Sequence, residues 1–172
     1  MNTAPSSSVP SNESVARIVN NAWVDEGVLL YSAFAFAPNE TYLSVNRISV
    51  ETYDLDVRNF VMSHPAYQVA ESSLSYRRAL MNVSDINSIK IINEDEELAV
   101  NVEVEPRDTY TKSHAGIFVR TNGQNIVSGR KMPPETLPVG VSVDMVLQEV
   151  QWKLKDLSTL QVCNLPELNN AD

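Results

Sequence analysis

The residues of this chain best suited to chemistry are few, and His114 is the first of them. It stands in Ser113-His-Ala-Gly116, where a polar loop enters the β-rich run Gly116 to Arg120. An imidazole titrates near neutral pH, and small neighbours let a ligand or a second backbone come close. Arg47 is the second, closing the strand-like run Leu43-Ser-Val-Asn-Arg47. If Arg47 points into a groove that also holds His114, Tyr31 and Ser32, the four would bind an anionic or nucleotide-like group, because a guanidinium forks onto carboxylate or phosphate. The competing structural reading makes Arg47 a solvated strand residue and His114 a histidine hydrogen-bonded into the wall of a sheet.

Other chemistries lack their parts. Two histidines and one cysteine lie far apart, with none of the paired spacings of zinc sites, so no metal and no cofactor is expected. The acidic run Glu94 to Glu97 lacks the glycine and bidentate glutamate of a calcium loop and reads as a solvated hairpin tip. No P-loop, Gly-x-Gly-x-x-Gly or Gly-x-Ser-x-Gly occurs, and five glycines leave little material for a phosphate cradle. Cys163, beside Val162 and Leu165, reads as a small apolar packing group. His64 falls at a predicted helix C-terminus, an ordinary capping position.

The elements that must position these residues follow from the apolar patterns. Leu98, Val100, Val102 and Val104 alternate with polar neighbours across Glu97–Glu105, the clearest strand in the chain, and Gly116 to Val119 reads as a strand that pairs with it. A hairpin is expected between Ser88–Ile92 and Glu97–Glu105. Asn122-Gly123 has the chemistry of a type I′ turn. Val28 to Ala37 and Tyr42 to Val50 read as a further hairpin about Pro38 to Thr41, and Tyr76 to Val83 as a strand.

Three helices are expected. Val15, Ile18, Val19, Ala22 and Trp23 fit one helical face ending at Asp25-Glu-Gly27. A short helix starts at Thr52 or Asp54, runs through Ser63 and stops before Pro65. Ser142 caps a third, with Val143, Val146, Leu147, Val150, Leu154 and Leu157 in one stripe. The sheet covers that stripe in the first reading; a second copy of the same helix, giving a homodimer, covers it in the alternative. The fold class is therefore α+β, a mainly antiparallel sheet of hairpins packed against an amphipathic C-terminal helix and one or two shorter helices. Residues 1–12, rich in Ser and Pro, read as a disordered tail, 13–163 as a single domain, and 164–172 as a frayed C-terminus.

A net charge of -9 repels nucleic acid and anionic lipid over most of the surface, so neither is an expected partner. Between Glu105 and Lys131, however, five basic residues face two acidic ones, the one locally basic region. It either offsets carboxylates elsewhere in the fold or receives an anion. The lone cysteine suits a reducing cytosol, and no run approaches the ~18 apolar residues of a membrane span. Cytoplasmic placement is expected.

The segments Trp23-Val-Asp-Glu-Gly27, Ser32-Ala-Phe34, Leu43-Ser-Val-Asn-Arg47 and Ser113-His-Ala-Gly-Ile117 together resemble a family of small uncharacterised bacterial proteins. The resemblance covers mainly residues 23–47 and implies a bacterial cytosolic protein, with no activity attached. The leading expectation is a binding or regulatory module whose partly polar groove takes a protein segment or a small anionic ligand through Ser32, Arg47 and His114. The alternative is a small nucleotide-acting enzyme, of an ADP-ribosyl- or phospho-transferring kind, in which Arg47 grips phosphate and His114 is acid or base.

Overall fold

The computed structural model describes residues 8–69, 72–107, 110–133 and 136–167. Six strands form the body of an antiparallel sheet: β1 (Ser14–Val19), β2 (Leu43–Arg47), β3 (Ser72–Asn82), β4 (Val100–Pro106), β5 (His114–Thr121) and β6 (Thr159–Asn164). Their spatial order is β4-β5-β2-β1-β3-β6, and the two-residue strands Gln124–Asn125 and Gln68–Val69 extend the sheet beside β5 and β3. Three helices, α1 (Tyr53–Ser63), α2 (Val83–Asn87) and α3 (Val143–Leu157), complete an α+β fold.

The two faces of the sheet have separate cores. Val15 and Val19 of β1, Leu43 and Val45 of β2, the alternate valines of β4 and Ala115, Ile117 and Val119 of β5 all point to the side covered by α3. Val146, Leu147, Val150 and Leu154 are buried there, and the Ser142 hydroxyl accepts the Met145 N–H at 3.1 Å to cap the helix. Those four stripe positions are thus covered within the chain, while Leu157 at the end of the stripe stays partly exposed. On the other side Tyr53, Val57 and Val61 of α1 pack on Ala16, Ile18 and Tyr76.

Several expected elements take other forms. The helix predicted from Ser14 to Trp23 is β1 followed by a 3-10 turn, Asn21–Trp23. A central strand buries both faces, Val15 and Val19 on one and Ala16 and Ile18 on the other, so its apolar run mimics a helical stripe over so short a length. The hairpin predicted from Val28–Ala37 with Tyr42–Val50 does not form. Val28–Leu29 pairs instead with Val24–Asp25, and the chain then coils through the 3-10 turn Tyr31–Phe34 to bury Ala33 and Phe34 under α3. β2 takes β1 and β5 as its partners.

The expected Ser88–Ile92 hairpin shrinks to two pairs, Ile92 with Glu97 and Asn93 with Glu96, closed by Glu94 and Asp95 in the left-handed region. The ladder that matters runs between β4 and β5, seven residues in register from Ala115–Pro106 to Thr121–Val100. Within the segment read as a disordered tail, Val9 is buried and donates its N–H to Val104 O at 2.9 Å. At the other end Thr159–Asn164 is the edge strand β6, and Leu165 is buried in the second core rather than frayed. Residues 1–7 and 168–172 lie outside the described residues.

Candidate ligand-binding site

The site begins where the sheet comes apart. β1 pairs with β3 over six residues but with β2 over only two, Val15–Arg47 and Ala16–Asn46. Beyond Ala16 the next side chain is Arg17, the one charge inside the apolar run Val15–Val19. Its Nε donates to Ala33 O and its Nη1 to Ser44 O, the latter at 2.7 Å, so a side chain bridges where the backbone ladder has stopped. The guanidinium carbon lies 4.9 Å from the centre of the Trp23 ring, a cation–π contact. Loss of hydration pulls the Arg17 pKa down to about 10, so the group remains a cation at neutral pH.

A cavity of ≈ 500 Å³ opens at this gap, between the sheet and α1. Its aromatic wall is Trp23, Phe60, Tyr67, Tyr110 and His114. Trp23 meets Tyr67 edge-on at 6.0 Å, and Tyr67 meets Phe60 the same way at 4.8 Å. The helix supplies Phe60 because α1 shows the sheet only its Tyr53, Val57 and Val61 side, leaving Phe60 on the rim. Polar edges come from Ser44 and Asn46 of β2 and from Asp56 of α1. Asp56 is held in place: one carboxylate oxygen accepts the Thr52 hydroxyl at 2.9 Å and the Ser113 N–H at 3.2 Å. Asn46 in turn donates to Ser113 Oγ at 3.0 Å.

His114 forms part of this wall with both ring nitrogens engaged. Nδ1 lies 3.2 Å from Arg107 O, and a carbonyl can only accept, so Nδ1 carries the proton. In the neutral ring Nε2 is then an acceptor, and the Ser44 hydroxyl donates to it at 3.3 Å. Burial lowers the His114 pKa, helped by the nearby Arg107 charge and opposed by the hydrogen bond to the Arg107 backbone. A neutral, doubly bonded imidazole fits the wall-histidine reading. Tyr110 lies 5.5 Å from its ring and Tyr42 5.8 Å on another side.

Past His114 the same face carries a stack of rings and cations. Arg107 sits over Tyr42 and Phe118, and Arg120 lies 4.4 Å from the Phe118 ring centre while pairing with Glu103 and Glu105. Gly116 is required here, because a β-carbon on it would lie 2.6 Å from Tyr42 Cδ2 and 2.8 Å from Tyr42 Cγ. Two of the five cations of the locally basic stretch, Arg107 and Arg120, are therefore spent on internal rings and carboxylates.

The structure does not gather Ser32, Arg47 and His114. His114 shares its face with Ser44 and Asn46, its cross-strand neighbours. Arg47 is one residue on from Asn46 and so leaves the strand on the opposite side. There Glu13 holds it, through Nε to Oε2 at 3.1 Å and Nη2 to Oε1 at 2.8 Å. Glu13 also accepts the Ser49 hydroxyl, and these contacts hold its pKa below the ordinary carboxylate value. Ser32 is exposed in the turn packed under α3, where its neighbour Tyr31 meets Trp152. Of the three, only His114 lies in the cavity. Arg17, Trp23, Phe60 and Tyr67 were not expected there; the signal for Arg17 was a lone charge inside a buried apolar run.

Cys163 is half-buried against the second core, as a small packing group. His64 stacks on Phe60 at 4.5 Å with Nδ1 2.8 Å from Phe60 O, closing the C-terminal end of α1. Among the described residues no three His, Cys, Asp or Glu side chains converge as metal ligands, and no helix is long and apolar enough to cross a membrane. No protein-family model, curated protein or solved structure matches this chain.

Proposed function

We propose that this chain is a binding or regulatory module whose ligand seats in the cavity between α1 and the opened edge of β1 and β2. The observation that carries the reading is the cavity's make-up: an aromatic wall over a few fixed polar edges, the usual composition of a small-molecule site. The fixed state of His114 favours binding over catalysis. With Nδ1 donating to a carbonyl and Nε2 accepting from Ser44, the ring has neither a proton nor a lone pair in reserve for a substrate. A nucleotide-acting enzyme built on Arg47 and His114 would need both on one face of the sheet, and Glu13 holds Arg47 on the other. A half-buried free thiol at Cys163 is compatible with a cytosolic home.

The test is a thermal-shift screen of small aromatic fragments at millimolar concentration, since any ligand selective for the native state raises the melting temperature. The reading predicts positive shifts that disappear in Phe60→Ala, a rim residue whose removal leaves both cores intact. No shift from any fragment, or shifts indifferent to Phe60→Ala, would remove the cavity as a binding site.

A further inference from the structure

The cavity holds a cation with no carboxylate in direct contact, although the charge of Glu40, also on the cavity lining, reaches it. Arg47 pairs with Glu13, Arg120 with Glu103 and Glu105, Lys90 with Glu97 and Lys153 with Glu149, whereas Arg17 has no carboxylate within ion-pair distance among the described residues. Two backbone carbonyls satisfy Nε and one Nη1 hydrogen, and among the described residues none accepts from Nη2. Withdrawing a guanidinium from water with no carboxylate in contact is costly, and a carboxylate or phosphate would answer it with charge-assisted bonds. Trp23, already against the guanidinium, and the Tyr67–Phe60 pair beyond it provide flat apolar surface next to that charge.

Other charges decide which anion fits. Glu40 and Asp56 also line the cavity, and a dianion would meet their repulsion as well as the attraction of Arg17. Resting on the reading of this cavity as a binding site, we infer that its ligand is an aromatic monocarboxylate, with the carboxylate on Arg17 and the ring against Trp23, Tyr67 and Phe60. The juxtaposition that carries this is a guanidinium without a contacting carboxylate on the lining of an aromatic-walled cavity.

Trp23 reports directly once the other tryptophan is removed, so the experiment uses the full chain with Trp152→Phe and follows emission on titration with benzoate, phenyl phosphate and benzamide. The expected result is a saturable response to benzoate, with benzamide, its neutral isostere, weaker by about tenfold or more and phenyl phosphate weaker than benzoate. Arg17→Gln should abolish the benzoate preference and Arg17→Lys retain part of it. If Arg17→Gln does not fold, the three-ligand comparison on the parent chain still decides. Benzamide binding as well as benzoate would overturn the inference while leaving the cavity a binding site. Tighter binding of phenyl phosphate would overturn the carboxylate assignment. No response to any of the three, together with an empty fragment screen, would overturn the binding reading itself.

Discussion

On the α3 side of the sheet the inward residues of β2, β4 and β5 are aliphatic but for Thr121 and Arg47 at the strand ends, and the helix above them is buried along four consecutive stripe positions. On the α1 side the same three strands present Ser44, Asn46, His114, Gly116, Phe118, Arg120, Glu103 and Glu105, and α1 covers only the half of the sheet nearer β1 and β3. Because strand side chains alternate, one set of residues builds both faces, and a single-residue offset separates a packing position from a site position. Val45 and Asn46 are adjacent in sequence and belong to different worlds. The first face serves stability, while the second keeps polar groups, rings and a cation where solvent can reach them.

That contrast is sharpened most by substitution in the α3 core. Leu154→Ala, at a fully buried position, should cost about 2–5 kcal/mol, read as a lower urea midpoint with unchanged slope, while fragment binding by the remaining folded protein is unaltered. Phe60→Ala, on the rim of the other face, should cost less, about 1–2 kcal/mol from the lost ring contacts with His64 and Tyr67, and remove the ligand response. Reversal of these two outcomes would break the division between the faces.

Gly116→Ala is the next largest. The new methyl group would overlap the Tyr42 ring, and overpacking of this kind costs about 1–3 kcal/mol. Near-ultraviolet circular dichroism should report the displaced tyrosine. A smaller effect is expected of Glu13→Gln, which leaves Arg47 without its partner: about 1 kcal/mol, with ligand binding untouched because Arg47 faces away from the cavity. Its pH signature is also specific. The pKa of Glu13 is lowered in the folded protein, so its stabilisation is present above the ordinary carboxylate pKa and fades as pH falls through the folded value; Glu13→Gln should flatten that acid limb.

The smallest effect concerns His114. Its folded pKa is below the ordinary 6.5, so the unfolded chain binds the proton more readily, and stability should fall as pH drops from about 6.5 towards the folded value. His114→Gln should remove that slope in melting temperature measured against pH. A slope of opposite sign in the parent protein would mean that a charged imidazole is favoured in the fold, against the neutral ring drawn here.

Much of the fold was legible wherever one period dominated. The alternation of Val100 to Val104, the Asn122-Gly123 turn with both residues at positive φ, and the Ser142 cap with its helix appear as read, whereas the strand expected from Glu97 breaks at Leu98–Ala99, its first residue pairing in the separate Ile92–Glu97 ribbon. β1 was not legible because burial on both faces erases alternation, and the Tyr31–Phe34 turn was hidden because an aromatic, β-rich run carries no mark of the tertiary contact that coils it. The site was legible only at His114. Ser32, Arg47 and His114 drew notice by residue type, but type does not fix the face, and the parity of Asn46 and Arg47 along β2 decided which of them meets His114. Arg17 could be recognised only once the gap between β1 and β2 was known, since its meaning lies in the missing partner strand.

The most direct test of the account is an amide chemical-shift map of the full chain titrated with benzoate. Perturbations concentrated at residues 17–23, 43–46, 56–67 and 110–114, and sparse along Val143–Leu157, are the predicted outcome. A saturable map centred on the α3 side, or scattered over both faces, would contradict it.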